Sequence, residues 1–260
     1  MEFGLAGKTA LVTGGSKGIG LATALGFARE GCALHLAARS QSDLVGARTC
    51  IRAVADVAVT IHALDLAVPD NVDRLVAECR DVDILVNNAG AVPTGPIEEA
   101  TDAKWREGFD LKVFATVNLT RQLYAEMKQR RSGVVINVIG NCGERPDPEI
   151  IIATIANAGL MAFTRALGSV SPDHGVRVLG VNPGPTATER LVMLMRRKAE
   201  DRTGDPERWT ELVAPLPFGR AATPDEIANM IVFAASKAAS FVSGTILTVD
   251  GGVSARGRLF

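Results

Sequence analysis

The stretch Thr9-Ala10-Leu11-Val12-Thr13-Gly14-Gly15-Ser16-Lys17-Gly18-Ile19-Gly20 decides the fold. Residues 9–13 show no polar alternation, as expected of a strand buried on both faces. Glycines end that strand, and Ile19 to Glu30 follows with helical spacing until Gly31. Glycine at such a junction lets the backbone turn tightly and approach a pyrophosphate, which the positive end of the helix attracts. A glycine loop set between a clean strand and a clean helix therefore predicts a dinucleotide-binding unit.

The same alternation continues along the chain. Short Val-, Ile- and Leu-rich runs at 33–37, 59–64, 83–86, 133–138, 176–181 and 245–249 read as strands. Helical segments are expected near 41–55, 70–79, 101–130, 150–170 and 224–236. Strands apolar on both faces belong in a parallel sheet covered by helices, so the fold class is α/β, a doubly wound Rossmann-type sheet of seven parallel strands. All 260 residues fit one domain. The exception to the beat is 185–220, where Pro185, Gly204, Pro206, Pro215 and Pro217 surround a helical stretch near 187–200. An insertion at a strand's C-terminal edge is where a substrate lid would sit.

Composition excludes several classes of function. With 28 basic and 29 acidic residues and a net charge of −1, there is no electrostatic footprint for nucleic acid or an anionic membrane. The N-terminus lacks a signal-peptide pattern, and the apolar stretch 150–164 is too short to span a bilayer. Cys32, Cys50, Cys79 and Cys142 are scattered without metal-type spacing, so reduced thiols, a cytoplasmic setting and no metal are expected.

Further motifs follow in order: Asn87-Asn88-Ala89-Gly90 after the fourth strand, Asn182-Pro183-Gly184 after the sixth, then Thr223-Pro224-Asp225-Glu226 and Val249-Asp250-Gly251-Gly252. With the Thr-Gly-x-x-x-Gly-Ile-Gly loop, this order resembles the short-chain dehydrogenase/reductase family over nearly the whole chain. The resemblance implies a sheet ordered 3-2-1-4-5-6-7, a homo-oligomer that is usually a tetramer, and a nicotinamide cofactor. It places Gly14, Ser16, Lys17, Gly18, Ile19 and Gly20 around the phosphates and Asp65-Leu66 at the adenine. Asn88, Ala89 and Gly90 fall at the adenosine ribose, and Pro183, Gly184, Thr186 and Thr188 at the nicotinamide and phosphates. Charge favours NADP(H) over NAD: the second strand ends in Ala38-Arg39, without the acid that would bond a ribose 2′-hydroxyl. Arg39 can pair with a 2′-phosphate through its planar fork, and Lys17 can add a second cation.

The family's Ser, Tyr, Lys and Asn of catalysis fall, by counting from fixed flanks, on Gly140, Ala153, Asn157 and Lys112. The single tyrosine, Tyr124, lies on another helix. Lys112 and Asn157 look exchanged, which would keep a Lys/Asn pair and move the charge from one helix to the other. Three functions stay open: an NADP(H)-dependent oxidoreductase with a non-standard site, a cofactor-binding sensor or scaffold without turnover, and a structural subunit of an active relative. For the first, Lys112, Cys142, Glu144, Asp147 and Glu149 are the candidate proton donors. Leu191 to Met195 would line the lid, and Arg196-Arg197-Lys198 could meet an acidic group or lie on a solvated face.

Overall fold

The computed structural model describes residues 2–256. A seven-stranded parallel sheet runs in the order β3-β2-β1-β4-β5-β6-β7, with β1 Thr9–Thr13, β2 Ala33–Ala38, β3 Val59–Ala63, β4 Ile84–Asn87, β5 Gly133–Val138, β6 Val176–Pro183 and β7 Ile246–Val249. The order reverses between β1 and β4, and there the crevice for a ligand opens at the strands' C-terminal ends.

Helices cover both faces. On one, α1 (Gly18–Arg29), α2 (Gln41–Arg52) and α9 (Pro224–Ala235) pack over Val12, Leu34, Leu36, Val86 and Ile136. On the other, α3 (Pro69–Glu78) and α5 (Ala115–Arg130) cover Leu11, Ala37, Leu85 and Val135. The remaining helix of this second layer, α6 (Ile151–Val170), carries its buried residues Ile152, Ala156, Asn157, Leu160, Met161 and Thr164 on one side.

Two expectations change. The helix foreseen over 101–130 is three pieces: α4 (Asp102–Phe109), a π-helical turn Asp110–Phe114, and α5. Helical periodicity is nearly blind to one widened turn, and such turns gather at functional positions. The helix that carries the apolar stretch 150–164 runs on through Arg165 and Asp173 to His174, giving a helical segment of 24 residues that is, by length and composition, long and apolar enough to cross a membrane. On its inner side Leu160 and Met161 pack against Ile139, just after β5, and against Ile246 of β7, as a core helix requires.

A chain of buried polar groups bolts the sheet to this layer. Asn87 donates to Thr120 Oγ1 and Asn137 Oδ1, both at 2.9 Å, and Asn137 donates to Thr164 Oγ1 at 2.8 Å. These amides hold the ends of β4 and β5 in register just behind the crevice.

Candidate cofactor and active site

Thr13, the last residue of β1, organises the cradle. Its hydroxyl accepts the backbone N–H groups of Asn88 and Ala89, each at 2.9 Å. The Asn88 amide donates back to Thr13 O at 2.9 Å and Gly14 O at 3.3 Å, so it braces the glycine loop instead of offering itself to a ribose. Gly14 turns at φ +64°, and a Cβ on Gly20 would lie 2.1 Å from Gly14 O. No side chain fits there, and the loop lies directly on the first turn of α1. That helix has Lys17 as its N-cap with no side-chain cap, which leaves its first N–H groups for an anion.

Beside the loop a cleft of about 240 Å³ is lined by Gly14, Ser16, Arg39, Leu66, Ala89 and Gly90, all expected cofactor contacts, with Ala38, Leu64 and Leu111 as apolar walls. The fit to an adenosine moiety is good: small residues and backbone on one side, aliphatic carbon on the other. Arg39 is exposed at the rim, and no ion-pair partner falls to it among the described residues.

Other expected contacts are engaged elsewhere. Lys17 pairs with Asp43 at 3.1 Å and with Glu189 at 3.8 Å, and its pKa is raised chiefly by the Asp43 hydrogen bond. It is therefore not the free second cation foreseen for a 2′-phosphate. Asp43 itself lines the cleft, so its carboxylate is nearer the adenosine end than its place in the sequence suggested. The Asp65 carboxylate accepts Ala67 N–H at 3.0 Å and shapes the turn before α3. Ile19 packs partly buried against the core below the loop. On the opposite wall, Thr188 caps α7 (Glu189–Thr203), and its methyl lies where a Cβ on Gly18 would meet it at 3.0 Å. Thr186 donates to Gly184 O at 2.9 Å, while Gly184 abuts Asp250 and Pro183 ends β6. Sequence distance hid the carboxylate partners of Lys17, which arrive from α2 and α7.

The other end of the crevice gathers Lys112, Cys142 and Asn157. Lys112, in the π turn, donates to Ile139 O at 2.8 Å, and its ammonium lies beside Gly90, 3.3 Å from where a Cβ would stand. The residue keeps partial solvent contact but the ammonium is enclosed. Burial, opposed by Cys142 and reinforced by Arg190, lowers its pKa to about 8. Asn157 is buried and donates to Cys142 Sγ at 2.8 Å, and its Oδ1 has no hydrogen-bond partner. The Cys142 thiol is pushed up by burial and pulled down by Asn157 and Lys112.

Gly140 takes φ +141°, with the Asn157 Nδ2 only 2.7 Å from its would-be Cβ. Ala153 and Thr154 follow on α6, and the Thr154 hydroxyl donates to Asp147 O at 3.3 Å. Glu144, Asp147 and Glu149 face solvent; Glu144 accepts the Thr248 hydroxyl at 2.8 Å, and Asp147 accepts Glu149 N–H at 2.9 Å. Of the proposed proton donors, only Lys112 and Cys142 point into the crevice.

A short chain dehydrogenase family model matches residues 8–199. The chain belongs to this family. An uncharacterized oxidoreductase of Bacillus subtilis is 32% identical, with 97% of this chain and 98% of that protein aligned. Gluconate 5-dehydrogenase of Gluconobacter oxydans is likewise 32% identical, over 97% and 96%. Among solved structures, L-sorbose reductase from Gluconobacter frateurii, complexed with NADPH and L-sorbose, superposes with a TM-score of 0.93 at 35% identity, covering 99% of this chain and all of that one. In this short chain dehydrogenase the Lys112 ammonium stands beside Gly90, which lines the cleft at Gly14, so the cleft and the Lys112–Asn157 cluster adjoin near the strand-order reversal.

Proposed function

We propose that this chain is an NADP(H)-dependent oxidoreductase in which Lys112 does the proton work that the family assigns to a tyrosine–lysine pair. The observation that carries the reading is the enclosed Lys112 ammonium, 2.8 Å from Ile139 O, with a pKa brought down to about 8. An amine near neutrality is a competent general acid, and its charge can polarise a substrate oxygen or nitrogen. Ala153 offers no hydroxyl, the Asn157 amide is turned to Cys142, and burial pushes the Cys142 thiol up while it brings the Lys112 ammonium down, so the cluster's more mobile proton is the lysine's. The bound nucleotide would supply a hydride. Arg39 at the rim would hold its 2′-phosphate, the backbone of residues 14–20 its pyrophosphate, and Lys112 would meet the charge that develops on a carbonyl or iminium acceptor.

The segment 185–220 fits a lid. Arg190 of α7 reaches Val92 O at 3.3 Å and Thr188 touches the glycine loop, and these two contacts support the lid reading. In its basic run Arg196 pairs with Glu207 at 3.1 Å, which favours a solvated face over an acid-binding one. We also propose a homo-oligomer, a tetramer by family habit. Phe114 and Ile155 are about half exposed on the helices of the second layer, as a subunit contact needs. Ile152, by contrast, is buried within the chain against Gly108, so of the apolar run 150–152 a neighbouring subunit would cover Ile150 and Ile151 alone. The tail 245–260, which resembles the family's interface strand, begins with β7, and residues 257–260 lie outside those described.

The test is NADPH consumption against a panel of ketones, cyclic imines and activated alkenes, with Lys112→Ala beside the parent. Turnover that Lys112→Ala abolishes, with NADPH affinity within a few-fold of the parent, supports the reading. A parent that binds NADPH and reduces nothing in the panel overturns it in favour of a cofactor-binding protein without turnover.

A further inference from the structure

Far from the crevice, the sheet's second face holds a polar cluster in an otherwise aliphatic layer. His35 on β2 and His62 on β3 point to the same side, under the end of α3, where Cys79 turns inward. His35 Nδ1 lies 2.9 Å from His62 Nε2, and the Cys79 sulfur is 3.4 Å from the first and 3.9 Å from the second. His62 and Cys79 are buried, and all three donor atoms fall within 4.8 Å of one another. A fourth group stands behind them: Glu78 contacts His62 Nδ1 at 3.2 Å.

That carboxylate holds the proton on His62 Nδ1 and turns the Nε2 lone pair into the cluster. A carboxylate behind a ligating imidazole sets tautomer and basicity in metal sites. Two imidazoles and a thiol are donors for a borderline, thiophilic divalent ion. Bonds of about 2.1 Å to nitrogen and 2.3 Å to sulfur in a tetrahedral site put ligand atoms roughly 3.3–3.6 Å apart. The three edges here bracket that range. The two ring nitrogens now share a proton along the short edge, so the His35 and His62 rings would open by about half an ångström to admit an ion.

We propose that His35, His62 and Cys79 form a zinc site, with Glu78 supporting His62 from behind and a water completing four ligands. On binding, the Cys79 thiol loses its proton to solvent. His35 keeps its proton but moves it from Nδ1 to Nε2, so one proton leaves per ion. Burial disfavours the charged form of both imidazoles. The acids around the cluster, Glu78 and Asp81, both exposed, supply the negative potential that attracts a cation. The site would staple β2, β3 and the C-terminal end of α3, tying down the sheet edge. Nothing in the linear spacing announces it, because the ligands come from three separate elements.

The full-length chain, in a Cys50→Ser background that removes the exposed thiol, is stripped with chelator and titrated with Co²⁺ as a spectroscopic probe. The expected result is a thiolate-to-cobalt charge-transfer band with tetrahedral intensity, saturating at one ion per chain and absent in Cys79→Ser. Zn²⁺ should displace the cobalt. At a hundredfold excess over Kd it should raise the melting midpoint by on the order of 5 °C in the parent and not in Cys79→Ser. Should Cys79→Ser fail to fold, Glu78→Gln, which touches no ligand bond, serves instead: zinc affinity should drop about 10–100-fold. A parent without the thiolate band, or a band that survives Cys79→Ser, overturns the proposal.

Discussion

Replacing Lys112 by methionine tests the site without a substrate. The lysine's pKa falls from its ordinary 10.5 to about 8 because its ammonium is enclosed. That displacement is worth on the order of 2–3 kcal/mol against the folded protein at pH 7, the lower figure allowing for partial solvent contact. The sign follows from proton counting. Below about pH 8 both folded and unfolded chains hold the Lys112 proton, so the cost is constant. Between about 8 and 10.5 only the unfolded chain still binds it, so stability rises with pH by that same 2–3 kcal/mol. Lys112→Met removes the titration. It also gives up the charge-assisted bond to Ile139 O, worth about 1.5–3 kcal/mol. The variant should thus lie within about 1 kcal/mol of the parent at pH 7 and be less stable than it at pH 10. Urea unfolding of both proteins at pH 7, 8, 9 and 10 reads the difference, and titrations common to both cancel. Parallel stability curves would show that Lys112 titrates as an ordinary surface lysine, and the case for it as an acid near neutrality would fall with them.

Arg39→Asp should weaken NADPH about 10–100-fold, the worth of a charge-assisted contact, and erase or reverse any preference over NADH; equal affinities of the parent for both nucleotides, by fluorescence titration, would refute the role given to Arg39. Gly20→Ala should abolish nucleotide binding and cost at least about 1–3 kcal/mol in urea unfolding, because the added Cβ meets Gly14 O at 2.1 Å. Light scattering at micromolar concentration should find a homo-oligomer, with Phe114→Asp shifting it toward smaller species; a monomeric parent would contradict the proposed interface.

The layers of this fold were legible because their signals are local. β1 and β5 fall where the apolar runs place them, and the glycine loop carries its own geometry. What escaped was anything made by distant residues or by a change of one backbone hydrogen bond. The π turn at 110–114 leaves composition and periodicity almost unchanged, yet it aims Lys112. The short helix α8 (Trp209–Val213) spans five residues between prolines, too few to show a period. Lys17 read as a free cation because Glu189 is far away in sequence and Asp43 sits on another helix. His35, His62 and Cys79 lie far apart in sequence, and only the parallel register of β2 with β3 brings the two rings to one face.

Gly140 and Asn157 belong together for a steric reason, and that reason can be measured. Gly140 has φ +141°, a region that side chains rarely enter, and a Cβ there would stand 2.7 Å from the Asn157 amide nitrogen. Asn157 occupies that space because it reaches Cys142 Sγ, and the reach leaves its Oδ1 buried without a partner. A serine introduced at 140 must therefore displace the amide and adopt strained backbone at once, each costing about 1–3 kcal/mol. Asn157→Ala opens the space and removes the orphaned oxygen, but loses the bond to Cys142, so alone it should change stability by no more than about 1 kcal/mol. In the double variant the collision is gone while the backbone strain remains. A double-mutant cycle of Gly140→Ser and Asn157→Ala, read by urea unfolding, should therefore show coupling of about 1–2 kcal/mol in the favourable direction. Strict additivity would mean that the two positions are independent, and that Gly140 is glycine for its backbone alone.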